Sequence, residues 1–491
     1  MDFKEFYSRK TVTEDVDQSV YDTAVGIVKR IRSGYVKETI GRDGKPKKVR
    51  KRFPETFFVG GWVRDKLLGM EAKDIDIATE AKPDEVREIL KGERFIEKNE
   101  GEGLGQAFNV IMVMINGHQY EIVTFRGEGK YTDGRRPDLV YFSNPEEDAK
   151  RRDFTVNALF YDPVEDKYID YVGGKKDIEK GLLKAIGEPV ERYREDYLRM
   201  LRAIRFFAQK GLEIEKETFD AIIQNAHQIN KTVLDGGKRK YSISRERVKE
   251  ELNKILISGR PGLAIQKMLE SGLLQELFPE IVPVLDPMIP KALDASDRDL
   301  ELRWAILLYG TGRTIDSKRF RYERQSAENA LKILKKYTFD TSTIKNVAWL
   351  IQNQNVFHEW GSLSHIQKNR IMTHALYPKL LKYFKIIGTS YDENEVTAET
   401  LGLYDKKKAE FEKLIKDRER FEQMRKFSVV TGNDLISLGI RPGPIHGKIL
   451  KDLEEKYSSG ELKTREELLG YVKKKYVGNT LSDGTVMEPG I

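Results

Sequence analysis

Hydrophobic and polar residues follow two different periods within residues 57–79. The run FFVG is short and apolar, as a buried strand is, and WVRDKLLG directly after it has the spacing of a helix. Further on, DIDIA alternates polar and apolar positions, as a strand with one buried face does. This stretch therefore predicts a strand, a glycine turn, a helix, a loop and a second strand, and we expect the rest of the chain to be organised around it.

The same patterns predict the neighbouring elements. Residues 13–32 place apolar side chains on one helical stripe, and Pro83 is a favourable first residue for a helix over PDEVREIL. FNVIMVMI and HQYEIVTFR are apolar runs joined by Asn116 and Gly117, the strongest short signal for a β-hairpin. Residues 191–210 form one amphipathic helix in this interpretation, and from about residue 211 onward the pattern is helical.

Composition narrows the class of protein. The chain has 491 residues, 39% hydrophobic and 34% charged, which is typical of a soluble protein with several domains. No apolar run reaches the ~18 residues of a membrane span, and MDFKEFYSRK has no signal-peptide core. The absence of cysteine excludes disulfides and thiolate metal sites and fits a cytoplasmic protein. A net charge of +7 is compatible with an RNA partner without establishing one.

Two aspartates in the second predicted strand are the main candidates for catalysis. Because side chains alternate along a strand, Asp74 and Asp76 point to one face, while Ile75 and Ile77 point to the core. Two adjacent carboxylates repel each other unless a cation lies between them. Oxygen ligands beside a phosphate site favour Mg²⁺, so we expect Asp74 and Asp76 to be metal ligands.

The glycine turn before the helix predicts the phosphate site. Gly60 and Gly61 let the backbone turn tightly and approach a ligand closely. Backbone N–H groups at a helix start bind phosphate, and Arg64 adds charged donors on the same turn. A glycine pair by itself is usually only a turn, and a DxD alone is usually surface chemistry. The glycine pair followed this closely by the DxD is a much more specific signal than either motif alone.

GG-x-V-R-D followed by D-I-D-I-A-T resembles the nucleotidyltransferase superfamily of the DNA polymerase beta type. More narrowly, it resembles the class II tRNA nucleotidyltransferases and the bacterial poly(A) polymerases. The segment RRDFTVNALFYD resembles the second family motif, which implies that Arg152 reaches a triphosphate and that Asp153 and Asn157 bind the ribose. Gly173 and Gly174 match the third motif, a hinge.

EDYLR, in the predicted helix at 191–210, resembles the fourth family motif. The resemblance implies that Asp196 and Arg199 bind the edge of the incoming base, and that Arg202 and Arg205 reach phosphates. An aspartate accepts a hydrogen bond from an exocyclic amino group, and an arginine donates to a ring nitrogen or carbonyl. C and A carry that amino group whereas U and G do not, so such a pair selects CTP and ATP without a nucleic-acid template.

Four further features of the sequence bear on the activity and on the binding sites. GEGKYTDGRRPD, residues 127–138, predicts a flexible loop beside the site, and family members carry such a loop there. Many relatives have a metal-phosphohydrolase His-Asp pair where this chain has Tyr309 and Gly310, which argues against a phosphatase activity. The basic residues of 45–52 form either a solvated exposed hairpin or an extra phosphate contact. Glu121 is either a third acid facing the aspartates or an ordinary polar residue.

We therefore expect an α+β fold, with a nucleotidyltransferase head on a mixed five-stranded sheet followed by an all-α neck, body and tail. The predicted domains are an N-terminal helical and basic extension (1–52), the catalytic head (53–180), a base-recognising neck (181–285), a helical body (286–390), a helical tRNA-binding tail (391–476) that includes a charged helix at 406–427, and a disordered end (477–491).

The predicted function is template-independent addition of CCA to the 3′ end of tRNA from CTP and ATP, with release of pyrophosphate. The nucleotide-binding set is predicted to be Gly60, Gly61, Arg64, Arg152, Asp153, Asn157, Asp196, Arg199, Arg202 and Arg205. A poly(A) polymerase and an enzyme that adds only CC or only A remain alternatives, because they share these motifs. A non-catalytic tRNA-binding protein is disfavoured by the intact Asp74 and Asp76.

Overall fold

The structure is a computed structural model that describes most of the chain. It describes residues 17–40, 45–72, 74–96, 110–129, 139–235, 237–312, 323–357, 360–390, 430–458 and 461–477. Most of the predicted loop at 127–138, the predicted charged helix at 406–427 and the end from 478 lie outside these described residues. The chain divides into two compact units, one extending to Val284 and including Ile333–Phe339, the other comprising Leu285–Lys332 and the chain from Asp340.

The first 180 residues contain the strands of the main sheet and the helices around them. In chain order these elements are α1 (Gln18–Ser33), β1 (Tyr35–Ile40), β2 (Pro46–Lys51), β3 (Thr56–Val59), α2 (Gly61–Leu67), β4 (Asp76–Thr79), α3 (Pro83–Ile89), β5 (Arg94–Phe95), β6 (Val110–Ile115), β7 (His118–Thr124), β8 (Arg126–Glu128), β9 (Val140–Phe142), α4 (Pro145–Lys150), β10 (Phe160–Asp162), β11 (Lys167–Ile169) and α5 (Gly174–Glu179). A 3₁₀ turn at Thr155–Asn157 precedes β10.

The main sheet has seven strands within the described residues, in the order β11-β10-β3-β4-β7-β6-β5. The β4–β7 pair is parallel and the other neighbours are antiparallel, so the sheet is mixed as predicted. The predicted number of five strands is wrong. The edge strands β5 and β11 have two and three residues, which is too short to produce a recognisable alternation of polar and apolar positions.

Helix α1 packs on this sheet and belongs to the same unit. Its buried side chains are Ala24, Ile27, Val28 and Ile31, which lie on one side of the helix as the apolar pattern predicts. The Tyr21 ring centroid lies 5.9 Å from those of Phe58 and Trp62. Aromatic pairs at this separation add to the apolar burial, so the helix that the sequence set apart as an extension contributes to the core of the head.

The elements from 181 to the end of the first unit are mostly helical. They are β12 (Leu182–Leu183), α6 (Pro189–Glu195), α7 (Leu198–Lys210), β13 (Glu213–Ile214), α8 (Lys216–Asn225), β14 (Thr232–Asp235), β15 (Lys238–Tyr241), α9 (Arg245–Leu256), α10 (Pro261–Glu270) and α11 (Leu273–Leu277). Two predictions fail here: the helix at 191–210 is two helices, and a hairpin interrupts the helical region.

The break between α6 and α7 lies at Asp196, whose backbone is extended with φ −149°. The Leu198 amide donates to Asp196 Oδ1 at 3.1 Å, and the Arg199 amide donates to the Asp196 carbonyl. Aspartate competes with the helix for backbone donors in this way, which is why it favours helix starts over interiors. On α7 the predicted apolar side is buried, with Met200, Leu201 and Ile204 at 0% exposure.

The hairpin β14–β15 pairs Thr232 with Tyr241 and Leu234 with Arg239. In the sequence, Asp235 is followed by two glycines before Lys238, and an aspartate–glycine pair between strand-like segments is a known hairpin signal. That signal could have identified the hairpin, but the surrounding helical periodicity dominated the interpretation.

The second unit is helical within the described residues. The helices that follow Val284 are α12 (Met288–Ala295), α13 (Leu300–Leu307), α14 (Glu323–Lys336), α15 (Thr341–Gln352), α16 (His365–Met372), α17 (Tyr377–Ser390), α18 (Gly432–Ser437), α19 (Pro444–Ser458) and α20 (Arg465–Lys475). The last three share a core that includes Leu435, Ile449, Leu453 and Val472. No helix in the described part of the chain is both long and apolar enough to span a membrane.

Candidate active site

The predicted carboxylate pair lies where β4 begins. Asp74 is exposed and Asp76 is half-buried, whereas Ile75 and Ile77 are buried, as the alternation predicts. The pKa of Asp76 is raised to about 6, first by burial and then by the neighbouring negative charge of Glu121. A carboxyl group with a raised pKa gains stability when a cation approaches it, so this edge of the sheet favours positive ligands.

Glu121 stands next to Asp76 across the parallel pair β4–β7. The register pairs these two residues directly, and their interaction contributes to the raised pKa of Asp76. Residues paired in register on neighbouring strands project their side chains to the same face of the sheet. Of the two interpretations left open for Glu121, the structure favours a third acidic group beside the aspartates.

The glycine turn lies against the carboxylates. Gly60 has φ +73°, and a Cβ atom there would lie 3.2 Å from Oδ2 of Asp76. A side chain at this position would therefore meet both backbone strain and a crowded carboxylate. Helix α2 begins at the next residue, Gly61, one residue before the predicted start at Trp62.

Arg64 is buried and its donors are directed to protein groups. Its Nη1 donates to Asn157 Oδ1 at 2.6 Å, and its Nε and Nη2 donate to Asp65 at 2.9 and 3.0 Å. Lys210, the last residue of α7, also contacts Asp65 at 2.9 Å. In this structure Arg64 therefore joins the glycine-turn helix to the RRD segment, and Asp65 joins it to α7.

Asp148 and Asn157 hold Arg152 in place. Nε and Nη2 of Arg152 donate to Asp148 Oδ2 at 3.1 and 2.9 Å, and Nη1 donates to the Asn157 carbonyl at 3.1 Å. Arg152 is also close enough to Asp76 to oppose the rise in its pKa. The guanidinium thus lies between the carboxylate edge and a buried aspartate.

Asp153 and Asn157 connect the RRD segment to α7. Asp153 Oδ1 accepts from Asn157 Nδ2 at 2.9 Å, and Oδ2 accepts from Arg202 Nε at 2.7 Å. Burial alone would raise the pKa of Asp153, but Arg202, Asn157 and Arg199 outweigh it and hold the pKa well below its usual range. Asp153 is therefore ionised at neutral pH and holds Arg202.

The residues predicted to read the base, Asp196 before α7 and Arg199 on it, also contact protein groups. Asp196 Oδ2 accepts from Arg247 Nη2 on α9 at 2.8 Å. Arg199 donates to Glu195 and to the carbonyl of Arg151.

Arg205 points to a buried acid on α9. Its Nε lies 2.8 Å from Glu251 Oε2, and burial lowers its pKa to about 10. A buried cation beside a buried acid forms a structural pair between two helices.

The structure thus joins the first two sequence motifs to each other and to helix α7 by side-chain contacts. Arg64, Asn157, Asp153 and Arg202 form one connected network, whereas Asp196, Arg199 and Arg205 have separate partners. The sequence interpretation missed Asp148, whose spacing of three and four residues before two arginines was a usable signal. It also missed Lys210, Arg247 and Glu251, for which local spacing gives no signal.

Comparison with known proteins agrees with this geometry. Residues 56–184 match the family described as "Poly A polymerase head domain", and residues 239–285 match "Probable RNA and SrmB- binding site of polymerase A". The CCA-adding enzyme of Ligilactobacillus salivarius is 32% identical over 86% of this chain and 93% of its own length. That of Lactococcus lactis subsp. cremoris strain MG1363 is 32% identical over 87% and 94%.

A solved structure supports the fold. The Bacillus stearothermophilus CCA-adding enzyme in complex with CTP superposes with a TM-score of 0.64 at 24% identity, covering 93% of this chain and 98% of its own. The full-length similarity to curated enzymes at this level of identity decides the family. The chain belongs to the CCA-adding branch of the class II nucleotidyltransferase family, and it is a tRNA nucleotidyltransferase.

Proposed function

We propose that this protein adds CCA to the 3′ end of tRNA, with the edge of the sheet around Asp74 and Asp76 as its reaction centre. The observation that carries the proposal is the carboxylate edge itself, where Asp76 adjoins Glu121 and the Gly60 turn. Solved structures similar in fold are described as complexes with CTP, with ATP and, for the Thermotoga maritima enzyme, with tRNA_CCA. The enzyme extends tRNA without a template and uses CTP and ATP.

Mg²⁺ fits the donors on this edge. No group of three or more His, Cys, Asp or Glu side chains that could hold a metal by itself occurs in the described residues. Mg²⁺ does not require such a cage, because it is usually held by one or two carboxylates together with substrate phosphates. Asp74 and Asp76 supply those carboxylates, and the raised pKa of Asp76 reflects a site that stabilises an added cation.

Bound Mg²⁺ would activate the 3′ hydroxyl and neutralise charge on the leaving pyrophosphate. Asp74 and Asp76 orient that reaction centre, and the Gly60 turn lets the triphosphate approach the carboxylates. Arg152 lies beside Asp76 and supplies positive charge next to the triphosphate. Attack of the hydroxyl at the α-phosphorus depends mainly on such positioning and charge neutralisation.

Asp196 and Arg199 select the base in this proposal. Asp196 occupies the break between α6 and α7, and its Oδ2 is oriented by Arg247. Its carboxylate accepts a hydrogen bond from the amino group of C or A, and Arg199 donates to the same edge. In this proposal Asp153 and Asn157 bind the ribose, and Asp153 holds Arg202 beside them.

The proposal also assigns roles to the predicted domains. The head (53–180) carries the chemistry, the neck (181–285) reads the base, and the tail (391–476), which follows the helical body (286–390), binds tRNA. We place the enzyme in the cytoplasm, which the absence of cysteine supports.

The second candidate function is poly(A) polymerase, because the head matches a family of that name over residues 56–184. The full-length similarity to CCA-adding enzymes favours CCA addition. An enzyme restricted to CC or to A addition shares all the features of the site.

The deciding assay gives each nucleoside triphosphate singly to tRNA lacking CCA, CA or A and measures product length. We expect two C additions to tRNA lacking CCA, one C addition to tRNA lacking CA and one A addition to tRNA ending in CC, each with no further extension. A long A tail would establish the poly(A) alternative, and failure of either the C or the A step would establish a partial enzyme. Incorporation of no nucleotide on any tRNA would overturn the proposal.

A further inference from the structure

We propose that Phe206 is a positioning residue that holds three arginines in place to receive the triphosphate of the incoming nucleotide. This inference rests on the proposed function of the site. Phe206 carries no charge and lies outside the predicted nucleotide-binding set. It belongs to α7 and is 4% exposed. It therefore acts through the arginines that surround it and not by contact with the substrate.

The ring of Phe206 has three guanidinium groups around it. The Cζ atom of Arg205 lies 4.3 Å from the ring centroid, that of Arg64 5.0 Å and that of Arg202 5.5 Å. A guanidinium over an aromatic ring is attracted by the ring quadrupole at distances up to about 6 Å. Because Phe206 is buried, water competes little for these contacts, which places them toward the stronger end of their range.

Phe206 also joins the elements that carry these arginines. Arg64 belongs to α2, which starts at the glycine turn, whereas Arg202 and Arg205 belong to α7. The ring of Phe154, in the RRD segment, meets that of Phe206 edge-on, with the centroids 5.8 Å apart. One side chain thus contacts the glycine-turn helix and the RRD segment from its position on α7.

The three positive charges repel one another where Phe206 holds them. The pKa of Arg205 is lowered to about 10, first by burial and then by the positive charges of Arg202 and Arg64, against the opposing effect of Glu251. Arg205 is still protonated at neutral pH, since this pKa lies far above 7. An anion that approaches the cluster relieves the repulsion, so the cluster favours a highly charged ligand such as a triphosphate.

The exposure of the three arginines indicates how an anion reaches them. The side chain of Arg202 is 33% exposed, whereas those of Arg205 and Arg64 are 12% and 8% exposed. Buried charges act through a medium of lower dielectric than water, where their attraction for an anion is stronger. In this proposal a phosphate group contacts Arg202 directly, and Arg64 and Arg205 strengthen the positive potential behind it.

The next residue along the chain provides a matched control. Phe207 also lies on α7, is 3% exposed and has the guanidinium of Arg260 4.4 Å from its ring centroid. Arg260 is not among the predicted nucleotide-binding residues, and successive side chains of a helix point in directions about 100° apart. Replacing Phe207 by leucine therefore removes a ring of the same size from the same helix, while the contacts of Phe206 remain.

The experiment compares Phe206→Leu and Phe207→Leu with the unmodified enzyme. A second series places mono-, di- and trifluorinated phenylalanine at each of the two positions by suppression of a stop codon. Fluorine withdraws electrons and weakens the ring quadrupole while the size of the ring changes little. Circular dichroism and thermal unfolding check that all variants fold. KM for CTP, KM for ATP, KM for tRNA and inhibition by inorganic triphosphate in competition with CTP are measured.

We expect Phe206→Leu to raise KM for CTP and for ATP about tenfold, the equivalent of ~1.4 kcal/mol. The inhibition constant of inorganic triphosphate should rise by the same factor, because the lost interaction is with phosphates. KM for tRNA and the preference for CTP over UTP should stay within about twofold, and a rise in KM with kcat little changed is the pattern of lost substrate binding.

The fluorinated series separates the quadrupole from packing. KM for CTP should rise in steps with the number of fluorine atoms on Phe206, because each one weakens the attraction of the ring for the arginines. The same series on Phe207, like Phe207→Leu, should change KM for CTP by less than about twofold in total. Since fluorination preserves the packing, this series keeps the test valid if Phe206→Leu fails to fold.

Three outcomes would overturn the inference. An unchanged KM for CTP in Phe206→Leu would show that the arginines do not depend on the ring. A KM that does not respond to fluorination of Phe206 would show that the ring only fills space, and an equal rise in the Phe207 variants would show a general effect of disturbing α7. Absence of nucleotide addition by the unmodified enzyme would instead contradict the proposed function, so the two failures are distinguishable.

Discussion

Replacing Asp148 by asparagine tests the buried cluster that positions Arg152. Asp148 is fully buried on α4, and its two oxygens accept from both Arg151 and Arg152. Arg151 Nη2 lies 2.5 Å from Oδ1, and Arg152 Nη2 lies 2.9 Å from Oδ2. Asparagine keeps the size of the side chain but removes the negative charge, so two partly buried guanidinium groups would face each other without their counter-ion.

The structure allows the size of the effect to be worked out. Removing one partner of a buried ion pair costs about 3–5 kcal/mol, because the remaining charge stays buried without compensation. Asparagine retains one acceptor oxygen, which places Asp148→Asn toward the lower end of that range. The total stability of a domain is about 5–15 kcal/mol, so the variant loses a substantial part of it.

The loss of stability caused by Asp148→Asn also depends on pH in a defined way. Burial alone would raise the pKa of Asp148, but Arg152 and Arg151 outweigh it and the pKa is lowered in the folded protein. The pKa of an aspartate in the unfolded protein is about 3.9, and that of Asp148 is lower in the folded protein. Ionised Asp148 therefore contributes its full stabilisation of the folded state at pH values above the unfolded pKa. This contribution is lost as the pH falls through the folded pKa. The difference between variant and unmodified protein should therefore be constant from pH 8 to pH 5 and shrink below about pH 4.

Hydrogen exchange of the amides in β3 and β4, measured at several urea concentrations, reports the stability of the unit that contains Asp148. The matched control is Glu147→Gln, one residue away on α4. Glu147 is 46% exposed and lies 3.7 Å from Lys150, a surface pair worth less than about 1 kcal/mol. A loss below about 1 kcal/mol in Asp148→Asn at pH 7, or a loss equal to that of the control, would refute the reasoning.

Three further predictions concern activity. Asp74→Ala or Asp76→Ala should abolish incorporation of both CTP and ATP while tRNA binding in a filter assay persists, and substantial residual incorporation would remove the metal-ligand assignment. Arg247→Met should lower the kcat/KM preference for CTP over UTP about tenfold, the equivalent of ~1.4 kcal/mol, because Asp196 loses its orienting donor. Its exposed neighbour on α9, Lys254→Met, should leave that ratio unchanged, and equal ratios in both variants would make Arg247 merely structural. Deletion of residues 131–134, which lie outside the described residues, should impair A addition to tRNA ending in CC more than C addition, whereas equal loss of both steps would contradict a switching role.

Local patterns in the sequence were sufficient to predict features that lie within one helix, strand or turn. The alternation of residues 74–77 correctly predicted that Ile75 and Ile77 are buried and that Asp74 and Asp76 are not, because a strand has a period of two. The Gly60 turn followed from the freedom of glycine at positive φ, and the apolar side of α7 followed from helical periodicity. The order of the motifs was enough to indicate the family.

Tertiary structure alone decided which elements meet. Glu121 adjoins Asp76 because β7 pairs with β4 in parallel, and such pairing depends on register between distant strands rather than on spacing along one of them. Arg247 reaches Asp196 from 51 residues away, and Lys210 reaches Asp65 from 145 residues away. Neither contact has a local signal, because each depends on how two helices pack.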